Sequence, residues 1–218
     1  MIREILPDVV AAEEAFDDSQ PVPLFPEEEA VIVNAVDKRR REFATARVCA
    51  RRALARLGFA PVAILPGARG APGWPPGVTG SITHCAGYRG CAVARARDIR
   101  ALGIDAEPHG RLPDGVLAAV SSSAERSRLG HLTAAVPTVH WDRLLFSAKE
   151  AIYKAWFPLT QQWLGFEDAD VSIDPVDGTF TVRLLLDGPP GPCSAFGKVC
   201  GRWLVGSGLI VTTLAIPA

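Results

Sequence analysis

Helical and extended patterns alternate irregularly along these 218 residues, and that irregularity limits the fold more than any other feature. The longest helical pattern runs from Asp37 to Leu57. Ala46, Ala50, Ala53 and Leu57 make one face of it, Arg40, Arg47 and Arg51 make another, and Gly58 ends it. Before it, "DDSQPVPLFP" (17–26) reads as an extended connector. "PEEE" (26–29) opens a shorter helix, because Pro and acids suit a first turn. After it come a Pro/Gly loop at 66–77, short strands at "VTGSIT" and "CAVARA" flanking "HCAGYRG", and a third strand at "IRALGIDAE". Helical patterns return at 116–130 and from Phe146 to Phe157, the latter stopped by Pro158. From Ala169 onward the pattern is extended only: "DVSID", "TFTVRLLLD", "CSAFGKVC", "RWLVGSG" and "LIVTTLAI". No regular strand–helix–strand rhythm emerges, so an α+β fold is expected rather than a doubly wound sheet. A break near Arg100 gives two subdomains of similar size, 1–100 and 101–218, each with a long helix and several strands.

A formal net charge of -1 gives no whole-chain reason to expect nucleic acid or a membrane surface as partner. No apolar run approaches the roughly 20 residues that span a bilayer. The opening "MIREILPDVVAAEEAFDD" has acids where a secretory signal needs basic and then apolar residues, so a cytoplasmic location is expected. Cys49, Cys85, Cys91, Cys193 and Cys200 form no C-x-x-C pair and are odd in number, which disfavours a disulfide framework or a structural zinc. They read as small buried thiols.

Chemistry is concentrated in a few segments. The chain has four lysines against nineteen arginines, and two of the four, Lys149 and Lys154, lie in "FSAKEAIYKAWF". Lysine can change its protonation state where arginine cannot. Within this segment Ser147 and Glu150 fit a capping box, with Ser147 as N-cap, and Glu150 and Lys154 share a helix face at i,i+4. Phe146, Ile152 and Trp156 suit the core. In "GIDAE", an extended backbone points Asp105 and Glu107 to one side while Ile104 and Ala106 face the core. Paired carboxylates without Cys or His neighbours suit either a solvated strand end or a hard cation, Mg²⁺ or Mn²⁺, rather than zinc. If the helix face carrying Glu150 and Lys154 meets them, three carboxylates and an ammonium converge to hold a metal, offer a base and meet a phosphate. In "VTGSITHC", Ser81 and His84 sit at a strand end among glycines, a combination that can cradle phosphate. Arg47 and Arg51 share a helix face, and Arg69 stands in the Pro/Gly loop; each is either solvated or an anion contact. Neither a P-loop nor a G-x-G-x-x-G fingerprint is present.

Taken together and in order, "GWPPGVTGSITHCAGY", "LGIDAE" and "FSAKEAIYKAWFPL" resemble the three motifs of the 4′-phosphopantetheinyl transferases. The resemblance is to the large single-chain class, the surfactin-synthetase and enterobactin type. Within that class it is nearest to the actinobacterial enzyme that serves fatty-acid, mycolate and polyketide carriers. It runs from about Glu42 to Gly165 and is thin before Leu24 and after Asp177. It implies two similar α+β halves related by a pseudo-twofold axis, with the active site in the cleft between them. It also implies an activity: the 4′-phosphopantetheine arm of coenzyme A moves to a serine of a fatty-acid, polyketide or nonribosomal-peptide carrier protein, releasing adenosine 3′,5′-bisphosphate. The residues follow from the same likeness. Asp105, Glu107 and Glu150 match the metal carboxylates, and Glu150 also the general base. Lys154 matches the lysine on the CoA diphosphate, and Ser81 and His84 match contacts to the 3′-phosphate. Arg47, Arg51 and Arg69 match basic positions near CoA. Lys149 touches CoA or pairs on the surface. Whether Glu150 binds the metal directly or through water stays open, as does the choice of Mg²⁺ or Mn²⁺. A monomer is expected, because two halves of one chain already build the cleft. The stretch "WFPLTQQWLGF" (156–166) is either core or a carrier-facing surface. On the acidic cluster alone, a Mg²⁺-dependent phosphatase or nucleotidyl transferase and a non-catalytic CoA-binding module remain alternatives.

Overall fold

The computed structural model describes residues 1–19, 22–186 and 199–218. It has two antiparallel sheets. The first holds β1 (Ala11–Ala15), β2 (Val78–Cys85) and β3 (Tyr88–Arg95) in the order β1-β3-β2. The second holds β4 (Ile99–Pro108), β5 (Ala169–Asp174), β6 (Thr179–Leu184), β7 (Val199–Gly206) and β8 (Leu209–Pro217) in the order β4-β8-β7-β6-β5. Each sheet carries one helix of 20 residues. On the first sheet, α2 (Asp37–Arg56), preceded by the short α1 (Pro26–Val31), packs Cys49, Ala50, Ala53 and Leu54 against Cys91 and Val93. The last helix, α5 (Trp141–Thr160), follows α3 (Val116–Val120) and α4 (Ser123–Ala135). It buries Leu144, Ala148, Ile152 and Trp156 against Val171, Phe180, Val182 and Ile210. The α+β class expected from the sequence is the class found.

Three local expectations need correction. Helix α5 begins at Trp141, so Ser147 is interior rather than an N-cap; it is fully buried, and its hydroxyl lies 2.9 Å from the Thr212 Oγ1 on β8. Nor does Pro158 stop the helix. It sits in the final turn, where its ring forfeits one backbone bond without ending the helix, and the exit comes at Gln161, whose left-handed φ of 57° closes the turn with a bond back to Phe157 O. The pattern at 116–130 breaks into α3 and α4 because Ser122 and Glu125 make the capping box that the sequence suggested for 147–150. Ser122 Oγ accepts from Glu125 N at 3.1 Å, and Ser122 N donates to Glu125 Oε2 at 2.8 Å.

Strand β1 was not foreseen, since its two acids mask the extended pattern of "AAEEA". Glu14 there accepts hydrogen bonds from Ile2 N and the Tyr88 hydroxyl. Most of "CSAFGKVC", Cys193 included, lies outside the described residues. Of the other cysteines, Cys49 and Cys91 are buried, Cys85 is partly buried and Cys200 is exposed, all as free thiols. Among the described residues, no helix is long and apolar enough to cross a membrane.

Two contacts position the site. Edge strands β2 and β4 meet through side chains: Ser81 Oγ accepts from Ile104 N at 3.2 Å, and Thr83 Oγ1 accepts from Ala106 N at 3.1 Å. Those hydroxyls occupy acceptor positions that a neighbouring strand's carbonyls would fill. Helix α5 also lies directly on β4. A Cβ added at Gly103 would stand 1.9 Å from Ala151 O and 2.8 Å from Ala155 N, so only glycine permits this approach.

Candidate active site

A cavity of about 520 Å³ opens between α2, β2 and the 66–72 loop on one side and α5 on the other. Arg39, Arg47, Arg69 and Lys154 reach its wall, against a single carboxylate, Glu150. Four cations facing one acid make an anion site, and the forked guanidinium suits phosphate as it suits carboxylate.

On α2 the residues facing the cavity are Arg39, Phe43 and Arg47, spaced by four. Arg47 is buried, donates from Nε to Ile64 O at 2.7 Å, and lies 3.9 Å over the Phe43 ring. Burial brings its pKa down to about 10, so it stays charged at neutral pH. Arg39 Nη1 lies 2.9 Å from His84 Nε2. Guanidinium has no acceptor, so His84 accepts through Nε2 and is neutral there; its pKa is lowered by burial and then by Arg39. Ser81, 3% exposed, is on the same wall but its hydroxyl is committed to Ile104 N. Arg69 has φ 52° and places its guanidinium 4.8 Å over the ring of Trp163.

Arg51 is not on the cavity wall. It bonds Glu28 Oε2 at 2.8 Å and Pro23 O at 3.0 Å, and Glu28, fully buried, also accepts from Ile64 N. Lys149 also points elsewhere than the main cavity. Its ammonium bonds Glu125 Oε2 at 2.9 Å and Phe166 O at 2.7 Å and borders a separate chamber of about 110 Å³.

The acidic residues sit at the α5 side. Lys154 Nζ lies 2.6 Å from Asp105 Oδ1 and 3.4 Å from Thr83 Oγ1. Thr83 also donates to Asp105 Oδ1 at 3.2 Å, whereas Asp105 Oδ2 is buried without a partner among the described residues. Glu107, two residues along β4, receives Arg143 Nη1 at 3.0 Å. Its pKa is raised by burial and then by the charge of Asp105. Glu150 has no hydrogen-bond partner among the described residues; burial and then Asp105 raise its pKa as well. No group of three His, Cys, Asp or Glu side chains among the described residues is close enough to hold a metal ion as it stands.

Family models match both parts of this arrangement. Residues 27–94 match the 4′-phosphopantetheinyl transferase N-terminal domain, and residues 101–205 match the 4′-phosphopantetheinyl transferase superfamily. The chain belongs to that superfamily. Full-length relatives agree. It is 56% identical to the 4′-phosphopantetheinyl transferase Svp of Streptomyces mobaraensis, over 100% of this chain and 90% of that one. It is 50% identical to Npt of Nocardia iowensis, over 99% of both, and 46% identical to PptT of Mycobacterium tuberculosis, over 99% and 98%. The actinobacterial likeness expected from the motifs holds along the whole chain, and the protein is a transferase.

Three residues at or beside the candidate site carry little signal in the sequence. Arg39 was lost in the run "DKRRREF", where only the i,i+4 step to Phe43 and Arg47 marks the cavity face. Arg143 belongs to the N-terminal turns of α5 that the sequence reading left outside the helix. Tyr153, which the sequence motifs do not single out, lines the cavity with Glu150 and Lys154. The stretch 156–166 divides: Trp156, Phe157 and Leu164 are buried, and Trp163 is 60% exposed.

Proposed function

We propose that this enzyme transfers the 4′-phosphopantetheine arm of coenzyme A to a serine hydroxyl of an acyl, peptidyl or polyketide carrier protein, with the cleft between residues 1–100 and 101–218 as its active site. One observation carries the reading: a cavity with four cationic side chains has a lone unpaired carboxylate, Glu150, one helical turn from one of them, Lys154. Coenzyme A brings a 3′-phosphate and a diphosphate, which need the cations; a serine nucleophile needs the base.

Arg39 and His84 suit the 3′-phosphate, with Ser81 beside them on the β2 wall. Arg47 and Arg69 suit the adenylate end, and Lys154 suits the diphosphate. Glu150 takes the proton from the serine hydroxyl, whose oxygen then bonds the β-phosphorus. The bond from that phosphorus to the bridging oxygen breaks, and adenosine 3′,5′-bisphosphate leaves. Lys154 meets the charge that grows on the leaving oxygens, and the rigid seating of α5 on β4 supplies alignment. We assign Arg51 and Lys149, matched by resemblance to CoA contacts, to the framework instead, because their charges are satisfied by Glu28 and Glu125.

Asp105, Glu107 and Glu150 are the carboxylates that would hold a hard divalent cation, Mg²⁺ or Mn²⁺, on drawing closer together than they stand. Asp105 keeps a buried oxygen unpartnered, and burial, then the charge of Asp105, raises the pKa of both glutamates. Such an ion, when bound, neutralises diphosphate charge. Asp105 gives Oδ1 to Lys154 and Glu107 is held by Arg143, so these cations would share the two carboxylates with any bound ion. A monomer accords with a cavity walled by one chain.

Incubation with CoA, Mg²⁺ and an apo-carrier tests the reading. The carrier gains the mass of the arm; no gain, or turnover of CoA without any carrier, overturns it.

A further inference from the structure

Two consecutive residues at the start of α5, Asp142 and Arg143, hold the segment that joins β4 to α3. Arg143 engages all three of its guanidinium nitrogens. Nε donates to Gly110 O at 3.1 Å, Nη2 to Arg111 O at 2.7 Å and Nη1 to Glu107 Oε2 at 3.0 Å. Asp142 Oδ2 accepts from Leu112 N at 2.9 Å, and His109 N donates to Gly208 O at 2.8 Å. The two carbonyls that fix the guanidinium are therefore fixed on either side, and Arg143 is a stationary charge. Lys154, about three turns and ~16 Å further along the α5 axis, holds Asp105. Two carboxylates from one face of β4 are thus tied to separate cations, with Glu150 on the helix between those cations.

A fixed guanidinium and a divalent ion compete for the same carboxylate charge, and a carboxylate that chelates must leave or share its present partner. The geometry points to Arg143 as a positioning residue that parks Glu107 out of joint reach with Asp105 and Glu150 in the ligand-free enzyme, so that a lone divalent cation meets no ready-made site of three carboxylates. No such site stands among the described residues. Arg143 is not on the wall of the main cavity, so it acts through Glu107 and not on the co-substrate. The same pairing keeps Glu107 and Asp105 from repelling each other unopposed on one strand face. The inference rests on the carboxylate assignment made above and on nothing about coenzyme A.

Titration of Mn²⁺ into the CoA-free protein, with the free ion read by electron paramagnetic resonance, tests it. Arg143→Gln should tighten Mn²⁺ binding by about 5- to 20-fold, the worth of a partly screened charge-assisted hydrogen bond. Arg143→Lys keeps a charge but cannot bond two carbonyls and Glu107 at once, so it should tighten binding by about two- to fivefold. That variant decides the matter if Arg143→Gln does not fold. Asp142→Asn loosens the same segment at Leu112 without touching Glu107, and should leave the affinity within about twofold of the original. In a Glu107→Gln background, Arg143→Gln should have no effect. Unchanged or weaker Mn²⁺ binding in the Arg143 variants overturns the inference. So does an equal gain in Asp142→Asn, a gain that persists without the Glu107 carboxylate, or no measurable binding by the original protein and every variant. Neither CoA nor a carrier enters the titration, so its failure is distinct from failure of the transferase reading.

Discussion

Lys149 and Glu125 form an ion pair of 2.9 Å with side chains only 2% and 1% exposed, while Glu150, the next residue, lines the main cavity. Glu125 also accepts from Ser122 N and Val171 N, so one carboxylate joins α4, α5 and β5. Breaking a buried pair strands a charge, at a cost of about 3–5 kcal/mol. Lys149→Met is therefore expected to lower stability by that order, measured by denaturant unfolding. Adding Glu125→Gln recovers part of the loss. The CoA dissociation constant of the folded variant should not change; a tenfold rise would return Lys149 to the list of ligand contacts.

Glu150→Gln should lower transfer by roughly 10²- to 10⁴-fold. CoA affinity and fold should persist, since the Glu150 carboxylate bonds no described residue. The pH profile carries the sign of its environment. Burial and Asp105 raise the Glu150 pKa, so its proton is held to higher pH and the reactive carboxylate is lost as pH falls through a value above the usual 4.5. The acid limb of kcat/KM should lie above 4.5, and a limb at or below that value would separate the base from Glu150.

Asp105→Asn keeps the shape and removes the charge. Half-saturating Mg²⁺ in the transfer assay should rise by about tenfold or more, since even outer partners of metal ligands are worth 10- to 100-fold. An unchanged metal requirement would place the cation elsewhere.

His84 is held neutral by burial and by Arg39. A bound 3′-phosphate favours its protonated form, so CoA binding should take up a proton and tighten as pH falls from about 8 to 6. Calorimetry in buffers of differing ionisation enthalpy reads that uptake, and His84→Gln should diminish it. Equal uptake in the variant would assign the proton to the phosphate alone.

Several of these features were legible in the sequence, and the reasons for the rest are local. Spacing alone placed Glu150 and Lys154 on one face of α5, and the period of two placed Asp105 beside Glu107. Motif order supplied the family. What single-sequence periodicity could not supply was phase and partnership. Three neighbouring arginines at 39–41 look alike until one of them meets His84 across the chain. Lys149 and Glu150 are adjacent, yet 100° of helical rotation sends one into a buried pair and the other to the cavity. The capping box was assigned to Ser147 because the pattern fits there equally well; tertiary burial against Thr212 decided otherwise.

Gly103 leaves α5 resting on bare main chain, with Ala151 and Ala155 as its points of contact. The separation of ammonium from carboxylate across that seam is thus gauged by peptide against peptide, not by the bulk of any substituent. Trp163, 60% exposed at the rim, stands outside that constraint.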